Sequence, residues 1–215
     1  GYAASIWHTD VTFTDAYPAG SILRAITIPE AGGDTVWANG ETAYEGLPES
    51  LRQLVNGLWA VHSNDYDYAQ VLANTPKASE ATEERVKQHK SVFASTVYET
   101  EHPLVRVHPV SGQRSLLLGH FVKRIVGLNQ ADSARIFAIL QEHITRPENV
   151  VRWRWQSGDV AFWDNQATQH RAVADFGLQR RTLRRATIAG EVPVAIDGRR
   201  SRTTRKEKAT TYEPA

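Results

Sequence analysis

Residues 150–163 read VVRWRWQSGDVAFW, and the reading of this stretch decides the fold class. Across residues 150–156, Val151, Trp153 and Trp155 alternate with Arg152 and Arg154, the period of two expected of a strand with one solvated face. Gly158 and Asp159 supply a turn, and residues 160–163 resume as a second strand. The same signature recurs on either side. Residues 181–189 (RTLRRATIA) read as the last clear strand, and residues 21–28 (SILRAITI) and 34–38 (DTVWA) as strands either side of a turn through Pro29, Gly32 and Gly33. Residues 58–62 form another, and residues 104–108 and 115–118 flank a turn as a hairpin. Helices are few. Leu51, Leu54 and Val55, between Pro48 and Gly57, make a short amphipathic one. Residues 131–144 make a longer one, with Asn129 or Asp132 as cap and Ile136, Ile139, Leu140 and Ile144 on one face. Many short strands with interspersed helices predict a mainly β fold of the jelly-roll kind.

A chain of 215 residues, 41% of them hydrophobic, is expected to form a single domain over residues 1–215 around one core. Its net charge of +1 provides no global field toward nucleic acid or an anionic membrane, so neither is an expected partner. No apolar run approaches the ~20 residues of a membrane span, and the first ten residues lack a signal-peptide layout, which points to a cytoplasmic protein. Without cysteine, thiolate metal sites and thiol nucleophiles are excluded, and metal chemistry must use histidine and carboxylate. The chain begins at Gly1 and contains no methionine, so an upstream segment is expected to be missing. Residues 72–90 are polar and long for a connection, and read either as a mobile lid or as a solvated helical excursion. The basic stretch at residues 199–208 (RRSRTTRKEK) reads as a solvated terminus or a subunit contact, and a homo-oligomer is expected.

His8 and Asp10 flank Thr9, and in an extended segment residues two apart project together. One imidazole and one carboxylate can therefore meet one cation. His170, in the polar run WDNQATQHRA, is the candidate third ligand, and two histidines with one carboxylate leave coordination positions open. Arg181 and Arg185 share a strand face with Leu183, roughly 13 Å apart at ~3.3 Å per residue. With no acidic neighbour in sequence they suggest two anionic groups to be held, although periodicity alone allows Arg180 and Arg184 to point inward instead. Trp153, Trp155 and Trp163 read as core, and His62, His108 and His120 as structural.

WHTDVTF, GGDTVWAN, WDNQATQHRA and RRTLRRATIAGEVP, in that order from His8 to Pro193, resemble the taurine dioxygenase superfamily and most closely its bacterial alkylsulfatase branch. The resemblance implies a distorted jelly roll (double-stranded β-helix) in which His8, Asp10 and His170 bind Fe(II). By the same match Arg181, helped by Thr35, would hold the distal carboxylate of the cosubstrate 2-oxoglutarate, and Arg185, with Val11 beside it, the anionic head of the substrate. It further implies an oxygen-dependent enzyme of sulfur metabolism, cleaving alkyl sulfate esters to aldehyde and inorganic sulfate with succinate and carbon dioxide as co-products. A sulfonate or aryloxyalkanoate dioxygenase with the same iron centre, a metal-dependent hydrolase and a noncatalytic jelly-roll binding protein are the competing readings. In the last of these His8 and His170 would lie apart.

Overall fold

The computed structural model describes residues 2–65 and 96–208, and the expected lid at residues 72–90 lies outside them. Among the described residues the order begins with β1 (Gly20–Thr27), β2 (Thr35–Asn39), α1 (Gly40–Glu45), α2 (Glu49–Val55) and β3 (Trp59–Ser63). It continues with β4 (Thr96–Pro103), β5 (Val105–Val107), β6 (Arg114–Leu116), β7 (Val122–Ile125) and α3 (Gln130–Ile144). The last strands are β8 (Val150–Trp153), β9 (Val160–Asp164), β10 (Thr168–Ala172), β11 (Thr182–Ile188), β12 (Val194–Ala195) and β13 (Arg202–Lys208). No helix among these residues is long and apolar enough to cross a membrane.

β1 and β2 are consecutive yet do not pair. β1 lies between β11 and β9, and β2 between β10 and β8, all antiparallel. The turn through Gly32 and Gly33, both at positive φ, carries the chain from one sheet to the other. Trp163 of β9 and Trp37 of β2 meet with ring centroids 5.6 Å apart, so the inner faces of the two sheets oppose each other, as in the jelly roll expected from the sequence. The hairpin β5–β6 forms as expected, with β12 added to its edge, and β13, β4, β3 and β7 complete a fourth sheet.

Helix α3 closes one side of the core. Leu140 and Ile144 are fully buried beside Val55, Leu104, Leu118 and Ile125, and Ile136 packs against them. Ile139, expected on the same face, is 44% exposed, and Phe137 takes the place against the core. A stripe through residues 136, 140 and 144 leaves residue 139 about 100° off its axis at ~100° per residue, which turns it toward solvent, and residue 137 about 60° off on the other side. Asn129 is the cap: its Oδ1 accepts from the Asp132 N–H at 2.9 Å. Asn129→Ala should therefore lower stability by about 1 kcal/mol in urea-induced unfolding. An equal loss from Asp132→Ala alone would assign the cap wrongly.

Two expectations are corrected by the packing. The basic stretch near the C-terminus is largely solvated, as expected, and is also ordered. Its residues 202–208 form β13 on β4, where Arg205 faces Asp65 and Glu99 and Arg202 meets Glu101. Val151 and Trp153 stand 65% and 46% exposed on the edge strand β8, whereas Trp155 and Trp163 are core as expected. The final correction concerns Arg185, which has a carboxylate partner from the other end of the chain.

Candidate metal centre

His8 forms an isolated antiparallel bridge with His170 of β10, the backbone N–H of each donating to the carbonyl of the other at 3.0 and 2.8 Å. The bridge sets the two imidazoles side by side with centroids 4.3 Å apart. His8 Nδ1 lies 2.7 Å from the Ile6 carbonyl, which can only accept, so Nδ1 carries a proton and Nε2 is the nitrogen turned toward Asp10. Thr9 then anchors the loop by donating its hydroxyl to the Thr168 carbonyl at 2.9 Å. Asn165 clamps Asp10 through its backbone, accepting from its N–H at 2.9 Å and donating to its carbonyl at 3.3 Å.

These contacts bring His8, Asp10 and His170 together, with one ligand atom from each all within 4.8 Å of one another. Asp10 Oδ1 is 3.7 Å from His8 Nε2 and 3.8 Å from His170 Nε2, too far for hydrogen bonds and close enough to share a cation. His170 has no hydrogen-bond partner on either ring nitrogen among the described residues, and its Nδ1 is buried. Its Nε2 is the nitrogen turned toward Asp10, and with no hydrogen bond among the described residues to occupy it, Nε2 is the atom open to a metal. Burial, with His8 and Arg185 nearby, pushes His170 down to about 3 despite the opposing pull of Asp10, so the ring is neutral and able to coordinate at neutral pH. Burial pushes the Asp10 carboxyl up, but His170, Arg185, His8 and the Ser21 hydroxyl together hold it below its ordinary value. The donor set fits a metal with open coordination positions.

A second feature lies at the start of β11. Arg181 donates Nε to the Gly33 carbonyl at 2.7 Å and Nη2 to the Thr35 hydroxyl at 3.2 Å. Among the described residues it has no carboxylate within ion-pair distance. Burial lowers its pKa, opposed by Asp34. A Cβ on Gly33 would stand 2.9 Å from Arg181 Cδ, so glycine is what lets the arginine lie along this turn. Thr35 Oγ1 also accepts from Trp155 Nε1 at 2.9 Å. With two donors aimed at it, the hydroxyl must send its own proton elsewhere.

Arg185, two face-repeats further along, turns inward and donates Nη1 to Asp10 Oδ1 at 2.7 Å. Arg184 lies opposite Arg24 in the β1 register, and it is Arg185 that reaches the buried Asp10, which settles the alternative that periodicity left open. Val11, next to Asp10, has φ of 61°, uncommon for a β-branched residue. That turn is held from behind by groups that sequence reasoning did not place in the site. Thr12 bonds His62 Nδ1 through its hydroxyl (2.9 Å) and His102 Nε2 through its carbonyl (2.7 Å), and Thr100 donates to the Phe13 carbonyl (2.7 Å). Both histidines are fully buried; burial drives His62 well below its usual range and His102 to about 4. Ser21 and Asn165 were also missed. Asn165 stood inside the quoted WDNQATQHRA run, whereas nothing local in the sequence marked Ser21.

The chain is 61% identical over 206 residues to an alpha-ketoglutarate-dependent sulfate ester dioxygenase of Pseudomonas putida, an alignment covering 96% of this chain and 66% of that protein. It is 58% identical over 204 residues to an alkylsulfatase of Acinetobacter baylyi, covering 95% and 62% respectively, so the chain spans less than two thirds of either relative. The crystal structure of a taurine dioxygenase from Burkholderia xenovorans superposes with a TM-score of 0.75 at 43% identity, over 93% of this chain and 62% of that one. The model of the taurine catabolism dioxygenase TauD, TfdA family matches residues 1–187, and the chain belongs to that family.

Proposed function

We propose that this chain is the catalytic domain of an Fe(II)- and 2-oxoglutarate-dependent dioxygenase that cleaves alkyl sulfate esters by oxidising the carbon that bears the sulfate. The observation that carries the reading is a two-histidine, one-carboxylate donor set sharing one interior with Arg181, a guanidinium without a carboxylate partner. The 61% and 58% identities to a sulfate ester dioxygenase and an alkylsulfatase support the substrate class.

His8, Asp10 and His170 would hold Fe(II), which when bound with 2-oxoglutarate and oxygen supplies the power to hydroxylate carbon. Arg181 presents its planar fork to the distal carboxylate of 2-oxoglutarate, and the Thr35 hydroxyl, its lone pairs taken by Trp155 and Arg181, donates its proton to the same carboxylate. Arg185 and Val11 receive the sulfate head and so place the adjacent carbon over the metal centre. Trp163, packed 4.8 Å from the His170 ring, helps keep water out. Each turnover consumes one alkyl sulfate, one 2-oxoglutarate and one dioxygen. One oxygen atom enters succinate as carbon dioxide leaves; the other enters the sulfate-bearing carbon, which then collapses to aldehyde with loss of inorganic sulfate.

The test is to measure aldehyde, sulfate and succinate together from the iron-loaded protein supplied with a medium-chain alkyl sulfate. All three should appear in equal amounts and only with oxygen and 2-oxoglutarate present. Sulfate release under nitrogen without 2-oxoglutarate would make the protein a metal-dependent hydrolase. Succinate formation triggered by a sulfonate or an aryloxyalkanoate, and not by an alkyl sulfate, would overturn the substrate class alone.

A further inference from the structure

The two carboxylate oxygens of Asp10 have different surroundings. Oδ2 accepts from Ser21 Oγ at 2.8 Å, on the side away from the imidazoles. Oδ1 faces both His8 and His170, so it is the atom a metal would share with them, and it is also the atom that accepts from Arg185 at 2.7 Å. The Arg185 side chain is 40% exposed while Asp10 is 4% exposed, so one end of the guanidinium is anchored on the buried oxygen and the other faces outward. No other carboxylate lies within ion-pair distance of Arg185 among the described residues, and Nη1 makes its one hydrogen bond.

We propose that Arg185 couples metal loading to recognition of the anionic head, through Asp10 Oδ1. The inference rests on the reading of the site as one that takes a divalent cation and a sulfate ester. A carboxylate oxygen already accepting from a guanidinium is a poorer donor to a cation, and the guanidinium charge repels that cation directly. An anion that engages Arg185 relieves both effects, because it draws hydrogen-bond donors away from Oδ1 and neutralises the positive charge beside the metal. The two ligands therefore bind with positive cooperativity, and the coupling is reciprocal: the cation must tighten the anion by the same factor. Arg185 is here a positioning residue for the metal ligand as well as a contact for the head group.

The experiment is a titration with Mn(II), following free Mn(II) by electron paramagnetic resonance, with and without saturating hexyl sulfate and with no turnover. In the wild type, hexyl sulfate should tighten Mn(II) binding about tenfold, within the usual range for coupled sites. Arg185→Gln, lacking the competing charge, should bind Mn(II) about tenfold more tightly than the wild type without the anion, and gain nothing from it. Ser21→Ala, which strips the other oxygen of its donor, should keep the anion effect, and this separates coupling through Oδ1 from a general disturbance of Asp10. An unchanged or weaker Mn(II) affinity in Arg185→Gln, no anion effect in the wild type, or loss of the effect in Ser21→Ala would each overturn the coupling. None of these outcomes touches the proposed reaction, which fails separately if aldehyde, sulfate and succinate do not appear together.

Discussion

Asp10→Ala should bind Mn(II) at least about 100-fold more weakly than the wild type and release no sulfate. Groups that merely support a metal ligand typically change affinity by 10–100-fold, so removal of a ligand should reach at least the top of that range. The substitution takes away the only carboxylate of the three and leaves two imidazoles, of which His170 is almost wholly buried. It also strips Ser21 and Arg185 of their shared acceptor. Arg185 is partly exposed and can turn to solvent, so the fold should survive, and an urea midpoint near that of the wild type verifies this. Asp10→Asn keeps the shape and an acceptor for Ser21 but loses the charge, and should fall close to the alanine variant. Mn(II) affinity in Asp10→Ala within a few-fold of the wild type would mean that His8, Asp10 and His170 are adjacent for structural reasons alone.

The candidate metal ligands were legible because histidine and carboxylate are recognisable by residue type and short spacing. His8 and Asp10 lie two residues apart, a spacing that lets them project together from an extended segment, and His170 stood out by following a strand and a turn rich in polar residues. What the local pattern cannot carry is the set of partners that arrive from far along the chain. Asn165 reaches Asp10 across 155 positions and Arg185 across 175, so no local window contains both ends of these bonds, and Ser21, 11 positions away, lies beyond the turn that brings it back. Arg185 was therefore read as an uncompensated charge when its counter-ion was Asp10 of the candidate metal centre.

The strands that escaped notice share a different cause. In β13 (RTTRKEK) and much of β4 (TVYETEHP) the side chains are polar, and the pairing that makes them strands is made by backbone groups. A charged, lysine- and arginine-rich strand at the rim of a sheet is how an edge avoids pairing with another molecule, and in sequence it is indistinguishable from a solvated tail. The opposite error arose in β8, where alternation promised a buried face. There the period of two was right, but β8 is an edge strand, and only Trp155, beyond its end, reaches the interior. Periodicity reports which residues share a face, and says nothing about whether another layer covers it.

Arg181→Leu should weaken 2-oxoglutarate binding by tens-fold or more while leaving Mn(II) affinity within a few-fold of the wild type. Loss of a half-buried charge that pairs with a carboxylate commonly costs ~2–5 kcal/mol, and each ~1.4 kcal/mol is tenfold in affinity. The leucine would also leave the Gly33 carbonyl and the Thr35 hydroxyl without their shared donor, although Thr35 keeps its bond from Trp155. Arg181→Lys separates charge from geometry: a lysine keeps the positive charge but has no fork to hold Gly33, Thr35 and a carboxylate at once, so its affinity should fall between the two. Gly33→Ala supplies an independent route to the same defect. Its φ of +74° disfavours any side chain, and its Cβ would press on Arg181 Cδ at 2.9 Å, so it should displace the guanidinium and weaken 2-oxoglutarate without touching a metal ligand. The measurement is a 2-oxoglutarate titration of the anaerobic Fe(II) protein, read from its weak visible charge-transfer band. Unchanged 2-oxoglutarate affinity in Arg181→Leu would remove Arg181 from the cosubstrate site, and a parallel collapse of Mn(II) binding would show that it supports the fold of the centre and not a carboxylate.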